Sequence, residues 1–236
     1  MQNITTYLKL TTIFNCKKIK QRNACGNCGI SLIKDEKCTN EECIHFYQKP
    51  RNLNKEETII TEFNIKHDLK LILSKYWSDI AQYKLELARN KISDISNSVS
   101  YKSKQLALNS ISLIFFIDGA SFTNTGKHTT WAILGFIANL PPRIRNAFNN
   151  VLKFTFITSR LFHFNAIFAN QMNRLKELLQ NGIKIQDTNL DIHIHSVLAD
   201  AVARPKLCNS KQFNGYFGCL HCQNPGMHIN KTHCYP

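Results

Sequence analysis

The sequence has no apolar run long enough to cross a membrane. Its two longest apolar stretches, 111–117 and 131–140, fall well short of the roughly 20 residues that a transmembrane helix needs. The N-terminal residues also lack the apolar core of a signal peptide, because threonines and a lysine interrupt it. We therefore expect an intracellular protein with no membrane partner.

Acidic residues are scarce. The 236 residues include 16 Asp and Glu against 30 Lys and Arg, which gives a net charge of +14. Such an excess favours a polyanionic partner, either nucleic acid or an anionic membrane surface, and we favour nucleic acid. The alternative is a lysine-rich composition with no binding role. The candidate phosphate contacts are Lys17, Lys18, Lys20 and Arg22, unless they simply form a solvated face.

Nine cysteines in a reducing compartment indicate metal ligands rather than disulfides. Four of them follow the pattern C-x2-C-x9-C-x4-C: Cys25, Cys28, Cys38 and Cys43. Zinc takes four thiolate or imidazole ligands in a tetrahedron, and two short chelating turns can supply them. We expect a small zinc-ribbon-like module over residues 21–48, in which His45 could replace one cysteine. The alternative is four unrelated buried cysteines.

The rest of the chain divides into three parts: a basic lead-in (1–20), a helical segment with a serine-rich linker (52–105), and a core (108–236). Apolar periodicity predicts helix across 52–92, and the serines between 93 and 103 predict the linker. In the core, the patterns predict strands at 112–117, 130–140 and 151–158, a helix at 163–180 capped by Gly182, and a strand at 192–198. An RNase H-like α/β domain begins in this order: three antiparallel strands, a crossover helix and a parallel fourth strand.

Two aspartates follow predicted strands, Asp118 after the first and Asp200 after the fourth. If these strands are neighbours, the two carboxylates lie side by side and can hold Mg²⁺ for phosphodiester chemistry. The alternatives are an Asp-Gly turn at Asp118 and a helix N-cap at Asp200. Pro205 slightly disfavours the N-cap, since it would interrupt the helix after about one turn. Asp187 and Asp191 precede the fourth strand and are expected at its opposite end.

A second C-x2-C pair, Cys219 and Cys222, supplies half of a zinc site. Four nearby residues could complete it locally: His221, His228, His233 and Cys234. The alternative is a pair of reduced core thiols.

Several of these segments resemble a known family in the right order. Residues 209–226 are similar to the segment N-x-K-Q-F-N-G-Y-x-G-C-x-x-C-x-x-P-G of En/Spm-type (CACTA superfamily) transposases. The stretch 116–120, with Trp131 and 139–143, resembles the first acidic block of that family. Residues 200–204 resemble the second block, although Val202 stands where the family often has proline.

The resemblance implies a DDE/D transposase, an enzyme that cleaves and transfers DNA strands with Mg²⁺ in the nucleus. Asp118 and Asp200 match the first two metal-binding acids, and Cys219 and Cys222 match a pair that histidines further along complete. The third acid is expected beyond Pro236, so we expect the sequence to be a fragment with an incomplete, inactive core. The complete enzyme could form a homo-oligomer.

Two other functions remain open. One is a catalytically dead, transposase-derived protein that binds DNA through its zinc module. The other is an unrelated zinc-ribbon protein that binds nucleic acid.

Overall fold

The computed structural model describes residues 18–32, 37–47, 58–89, 94–104, 106–107, 109–121, 129–159, 164–219, 221–230 and 232–235. These residues form a mixed α/β fold around a curled seven-stranded sheet. Among them, no helix is long and apolar enough to cross a membrane.

The strands of the sheet are β1 (Lys18–Ala24), β2 (Thr58–Phe63), β3 (Ser110–Ser121), β4 (Thr129–Ile137), β5 (Leu152–Ser159), β6 (Ile183–Ile185) and β7 (Thr188–Ala199). Their order across the sheet is β1-β2-β5-β4-β3-β7-β6. Only β3 and β7 pair in parallel; the other neighbours are antiparallel. A separate hairpin consists of β8 (Met227–Ile229) and β9 (Thr232–Cys234).

The helices are α1 (Ile65–Lys75), α2 (Trp77–Ala88), α3 (Val99–Lys102), α4 (Pro142–Arg145), α5 (Phe164–Asn181) and α6 (Ala203–Cys208). Two single 3-10 turns lie at Ile95–Asn97 and Phe148–Asn150. A parallel strand pair needs a crossover connection, and α5 lies in the connection that leads towards β7.

One apolar core joins the sheet to α1 and α5. The fully buried side chains include Phe63, Leu69, Leu113, Ile117 and Phe154. Burying each such side chain contributes about 1.5–3 kcal/mol. This core fixes the positions of β3, which contains Asp118, and of β7, which Asp200 directly follows.

The prediction of continuous helix across 52–92 is wrong for residues 58–63, which form β2 between β1 and β5. This stretch is rich in β-branched residues, which suit a pleated strand. Its Thr58 and Thr61 are buried, and the Thr58 hydroxyl lies 2.7 Å from that of Ser159. Residues 52–57 lie outside the described part of the chain, and the first described helix begins at Ile65, where the Asn64 side chain accepts a hydrogen bond from the His67 amide.

The expected linker is also wrong, because residues 94–104 pack against the sheet. The Tyr101 hydroxyl accepts hydrogen bonds from Ser112 (3.0 Å) and Asn139 (3.1 Å). Asp94 forms a buried ion pair with Arg145. Serine content alone did not reveal that the residues between the serines contact the core.

The predicted core elements correspond to β3, β4, β5, α5 and β7, with ends that differ by a few residues. Gly182 ends α5 as predicted: its φ is +59° and its amide donates to the Leu178 carbonyl at 3.0 Å. A Cβ at this position would collide with the Leu190 carbonyl. The periodicity did not reveal β6, which has three residues. The sheet also runs across the expected segment boundaries, since β1 and β2 extend it.

Candidate metal centre and carboxylate edge

Four cysteine sulfurs converge beside the end of β1. The Sγ atoms of Cys25, Cys28, Cys38 and Cys43 all lie within 4.8 Å of one another. Cys25 and Cys43 are 3.8 Å apart, and Cys28 and Cys38 are 3.5 Å apart. In a tetrahedron with metal–sulfur bonds of about 2.3 Å, the sulfurs lie about 3.8 Å apart. The four thiols are therefore spaced to hold one metal ion such as zinc.

The first two cysteines belong to a tight turn that directly follows β1. The Cys25 amide donates to the Ile30 carbonyl at 2.9 Å, and the Gly29 amide donates to the Cys25 carbonyl at 2.8 Å. Gly29 has a φ of +73°, in the left-handed region that favours glycine. This conformation lets the chain turn back sharply enough for both sulfurs to face the centre.

The other two cysteines come from a second turn. The Phe46 amide donates to the Cys43 carbonyl at 2.8 Å, and the Tyr47 amide donates to the Cys38 carbonyl at 2.9 Å. The Cys43 sulfur accepts hydrogen bonds from the Asn27 amide group (3.2 Å) and the His45 backbone N–H (3.4 Å). Such donors favour the thiolate form, which is the form that ligates metal.

The thiols differ in acidity. Burial raises the pKa of Cys25 and of Cys38. Burial also acts to raise the pKa of Cys43, but the hydrogen bonds from Asn27 and His45 act against it and lower the value to about 7. One thiolate thus forms readily, whereas several together need a cation in the centre to offset their mutual repulsion.

His45 stands next to this centre, with Nδ1 3.8 Å from the Cys25 sulfur. The four cysteines form a complete set of four donors without it. The sequence had left His45 open as a replacement ligand. In the structure its backbone N–H contacts Cys43, while its side chain is exposed.

Arg22 connects the cysteine turn to the sheet. Its guanidinium donates to the Gly29 carbonyl at 2.8 Å and lies 3.6 Å from the Glu62 carboxylate. Glu62 also lies 3.6 Å from Arg174 on α5. The sequence suggested Arg22 as a phosphate contact, and in the structure its guanidinium joins the cysteine turn to β2. Of the other suggested contacts, Lys17 lies outside the described residues and Lys18 and Lys20 belong to β1.

The second candidate site is the end of the β3–β7 pair. The parallel register places Ile117 opposite Ala199, and Asp118 and Asp200 are the residues that directly follow this pair. Neighbouring strands lie about 4.8 Å apart, which brings the two aspartates to the same end of adjacent strands. Asp191 pairs with Ser110 at the far end of β7, and Asp187 lies in the turn before it.

Asp118 lies within β3 and not in a turn. The strand continues to Ser121 and pairs with β4, with Asp118 opposite Ala132. This finding excludes the Asp-Gly hairpin turn that the sequence left open. The side chain is exposed, and its Oδ1 accepts a hydrogen bond from the Gly119 amide at 2.7 Å.

Asp200 caps the start of α6 from a position two residues before the N-cap residue, Val202. Its Oδ1 accepts hydrogen bonds from the amides of Val202 (3.0 Å) and Ala203 (2.6 Å) at the start of α6. The argument from Pro205 against such a cap is wrong, because Pro205 is the third residue of α6 and first-turn amides need no partner within the helix. One carboxylate oxygen makes both bonds, and the residue is exposed.

Cys219 and Cys222 are close to each other. The pKa of Cys219 is lowered, first by the His221 backbone N–H and then by the Cys222 side chain. Within the described residues, however, the only group of three or more candidate ligands is the cluster around Cys25. The structure therefore does not bring the nearby histidines or Cys234 to this pair.

The histidines suggested as local partners make other contacts. The rings of His228 and His233 stack edge to face at 4.8 Å, and Tyr216 and Tyr235 contact His233. The side chain of His221 lies 3.0 Å from the Arg204 guanidinium. Among the described residues, no third candidate ligand thus joins Cys219 and Cys222.

The sequence indicated no chemical role for Trp131 and Lys206, two residues near the carboxylate edge that Asp118 and Asp200 form. The Trp131 indole covers Gly119, where an added Cβ would lie 2.9 Å from the ring. On α6, the Lys206 ammonium lies 4.5 Å from the centre of the same ring. This cation–π contact holds a positive charge on the helix that Asp200 caps.

Comparisons with protein-family models, curated proteins and solved structures give no match for this chain.

Proposed function

We propose that this chain is part of a DNA transposase of the En/Spm type, in which Asp118 and Asp200 bind a divalent cation at the scissile phosphate. The observation that carries the proposal is the parallel β3–β7 register, which brings the two aspartates to one edge. The sequence resemblance independently matches these same two residues to the acids of that family.

The strand arrangement supports an RNase H-like core. Across the sheet, β5, β4, β3 and β7 are neighbours in that order. Along the chain, the antiparallel strands β3, β4 and β5 come first, and α5 and then β7, which is parallel to β3, follow them. That is the order with which an RNase H-like domain begins. In this proposal β1 and β2 are additions to the outer side of β5.

The donor set at the edge suits Mg²⁺. This ion prefers oxygen ligands and is often held by one or two carboxylates together with substrate phosphates and water. Asp118 and Asp200 are both exposed, and only Oδ1 of each is engaged in the backbone contacts described above. A bound Mg²⁺ would stabilise the charge that develops on the phosphate oxygens during strand cleavage.

In the same proposal, the four-cysteine centre holds zinc with a structural role. All four positions of the tetrahedron are filled by sulfur, which is typical of structural rather than catalytic zinc sites. Hydrogen bonds and ion pairs of Arg22 and Glu62 connect this centre to β2 and α5. The net charge of +14 makes DNA the preferred partner.

One observation favours the second candidate, a catalytically dead protein that binds DNA through its zinc module. Both aspartates have local structural contacts, since Asp118 bonds its neighbouring amide and Asp200 caps α6. Those contacts give Asp118 and Asp200 a structural role that requires no bound metal.

Manganese binding distinguishes the two candidates. We expect the chain to bind Mn²⁺, measured by the loss of the free-ion electron paramagnetic resonance signal, and to bind it more tightly when duplex DNA is present. DNA tightens binding because a phosphate oxygen completes the coordination. Asp118→Asn and Asp200→Asn should each lower the affinity for Mn²⁺ at least tenfold and abolish the effect of DNA.

The matched control is Asp187→Asn, which removes the same charge at the opposite end of β7 and should leave Mn²⁺ binding unchanged. Equal Mn²⁺ affinity in all three variants would overturn the proposed metal site. DNA binding by the wild-type chain that is indifferent to Mn²⁺ would favour the catalytically dead protein.

A further inference from the structure

The C-terminal part of the chain has an unusual charge distribution. Residues 201–236 contain no aspartate or glutamate, although the whole chain has 16. The same residues contain four basic side chains: Arg204, Lys206, Lys211 and Lys231. This segment directly follows Asp200, so a region of pure positive charge adjoins the carboxylate edge.

Within this region, residues 212–218 form two consecutive hydrogen-bonded turns, called the double turn below. The Gly215 amide donates to the Gln212 carbonyl at 3.0 Å, and the Gly218 amide donates to the Gly215 carbonyl at 3.1 Å. The Tyr235 hydroxyl donates to the Gly215 carbonyl and accepts from the Gly218 amide. A Cβ at Gly218 would collide with the Gln212 carbonyl, so the second turn requires glycine.

This double turn presents three aromatic side chains to solvent. Phe213 is 48% exposed, Tyr216 is 53% exposed and Phe217 is 58% exposed. Exposed apolar groups of this size that lie close together mark binding surfaces. The hydrogen bonds of the double turn thus hold a backbone conformation in which the three side chains are exposed.

One contact attaches the double turn to the residue before α6, and another joins α6 to the residues after the turn. The Gln212 side-chain amide donates to the Val202 carbonyl at 3.4 Å, and Arg204 contacts His221 on the far side of the turn. The α6 helix also contains Lys206, whose ammonium group makes a cation–π contact with the Trp131 ring. The exposed aromatic residues and the cations Lys206 and Lys211 therefore all fall between positions 206 and 217 of the chain, shortly after Asp200.

We propose that the double turn and α6 form a platform for an unpaired DNA strand. Bases would stack on Phe213 and Phe217, and phosphates would contact Lys206 and Lys211. Base faces are accessible for such stacking only where the strand is not paired. The absence of acidic residues after Asp200 favours a polyanion over a protein or an apolar ligand. The choice of DNA as the nucleic acid rests on the proposed function.

Fluorescence anisotropy with labelled oligonucleotides tests this platform in the full chain, without added divalent cation. We expect an oligothymidylate to bind more tightly than a duplex of the same length. The double variant Phe213→Leu, Phe217→Leu keeps apolar side chains but removes the rings. It should weaken binding of the single strand at least tenfold, since stacking contributes about 1–3 kcal/mol per base.

Phe148→Leu is the matched control, because Phe148 is 50% exposed and lies outside this region, before β5. It should leave binding unchanged. The double variant Lys206→Gln, Lys211→Gln should lower the slope of log affinity against log salt by about two. Two control variants, Lys184→Gln in β6 and Asp187→Asn in the turn after it, should not change the slope.

Tighter binding of the duplex, unchanged affinity in the double phenylalanine variant, or a stronger preference for oligouridylate would each overturn the platform. This outcome is separable from the metal site. The platform is measured without a divalent cation, and the metal site is measured as Mn²⁺ binding, so either proposal can fail while the other stands.

Discussion

The guanidinium of Arg145 lies 2.7 Å from the carboxylate of Asp94, and the side chain of each residue is only 6% exposed. The pair is bidentate, with a second contact of 3.0 Å. The Tyr83 hydroxyl donates to the same carboxylate at 2.7 Å. Through these contacts, one carboxylate joins α2, the segment before α3, and α4.

Removing that charge should strongly destabilise the fold. Asp94→Asn leaves a buried guanidinium without its counter-charge, which costs about 3–5 kcal/mol. We expect urea unfolding to show a loss of stability of this size. The exposed control Asp187→Asn should change the free energy of unfolding by no more than about 0.5 kcal/mol. A loss below about 1 kcal/mol in Asp94→Asn would mean that water reaches Arg145.

The same ion pair should make stability depend on pH in the acidic range. Burial acts to raise the pKa of Asp94, but the hydrogen bonds from Arg145 and Tyr83 outweigh it and lower the pKa below its usual value. A lowered pKa in the folded state stabilises the protein above the unfolded value of about 3.9. This contribution is lost as the pH falls through the folded value.

Urea unfolding of the wild type and Asp94→Asn at a series of pH values measures this effect. The difference between the two should be constant near neutral pH and shrink below about pH 4. A difference that grows on acidification would show that the sign assigned to the Asp94 shift is wrong.

Gly119 should tolerate no side chain. In Gly119→Ala the new Cβ would lie 2.9 Å from the Trp131 ring, which is buried and cannot easily move. Overpacking of this kind costs about 1–3 kcal/mol. The control is Gly215→Ala, whose nearest neighbour would be the Gln212 carbonyl at 3.6 Å. Thermal unfolding should show a lower midpoint for the first variant and a nearly unchanged one for the second.

The four-cysteine centre should bind metal stoichiometrically. Cys38→Ser should lower the zinc content of the purified chain by about one equivalent, because a structural site requires four ligands. Cys208→Ser alters an exposed cysteine outside the cluster and should retain the full content. His45→Ala should retain it as well. Inductively coupled plasma mass spectrometry gives the ratio of zinc to protein, and equal zinc in all variants would exclude this centre.

Removing zinc from the four-cysteine centre should destabilise the two cysteine turns more than the main core. Since metal binding orders so small a unit, a strong chelator should increase hydrogen exchange at residues 37–47 and in the turn after β1. Exchange in β3 should change little, because its buried partners lie in the main core. Unchanged exchange at 37–47 after complete loss of zinc would mean that hydrogen bonds alone hold the two cysteine turns.

Several features of the fold followed from local patterns. The cysteine spacing predicted the cluster, since two short turns can form a metal site from neighbouring residues. The apolar run in β3, the helical stripe of α5 and the glycine at the end of α5 also predicted their elements. A buried strand, an amphipathic helix and a helix end each leave a signal within a few residues of sequence.

The sequence alone determined which residues could carry chemistry: the four clustered cysteines, the two aspartates Asp118 and Asp200, and the pair Cys219 and Cys222. Tertiary structure decided which of them meet. The register of β7 against β3 contains an irregularity after Leu113, and this shift sets Ala199 opposite Ile117. Likewise, only the partners β1 and β5 made residues 58–63 a strand, and only Arg145 made Asp94 part of the core. These contacts join residues far apart in the chain, so their energies leave no trace in a local pattern.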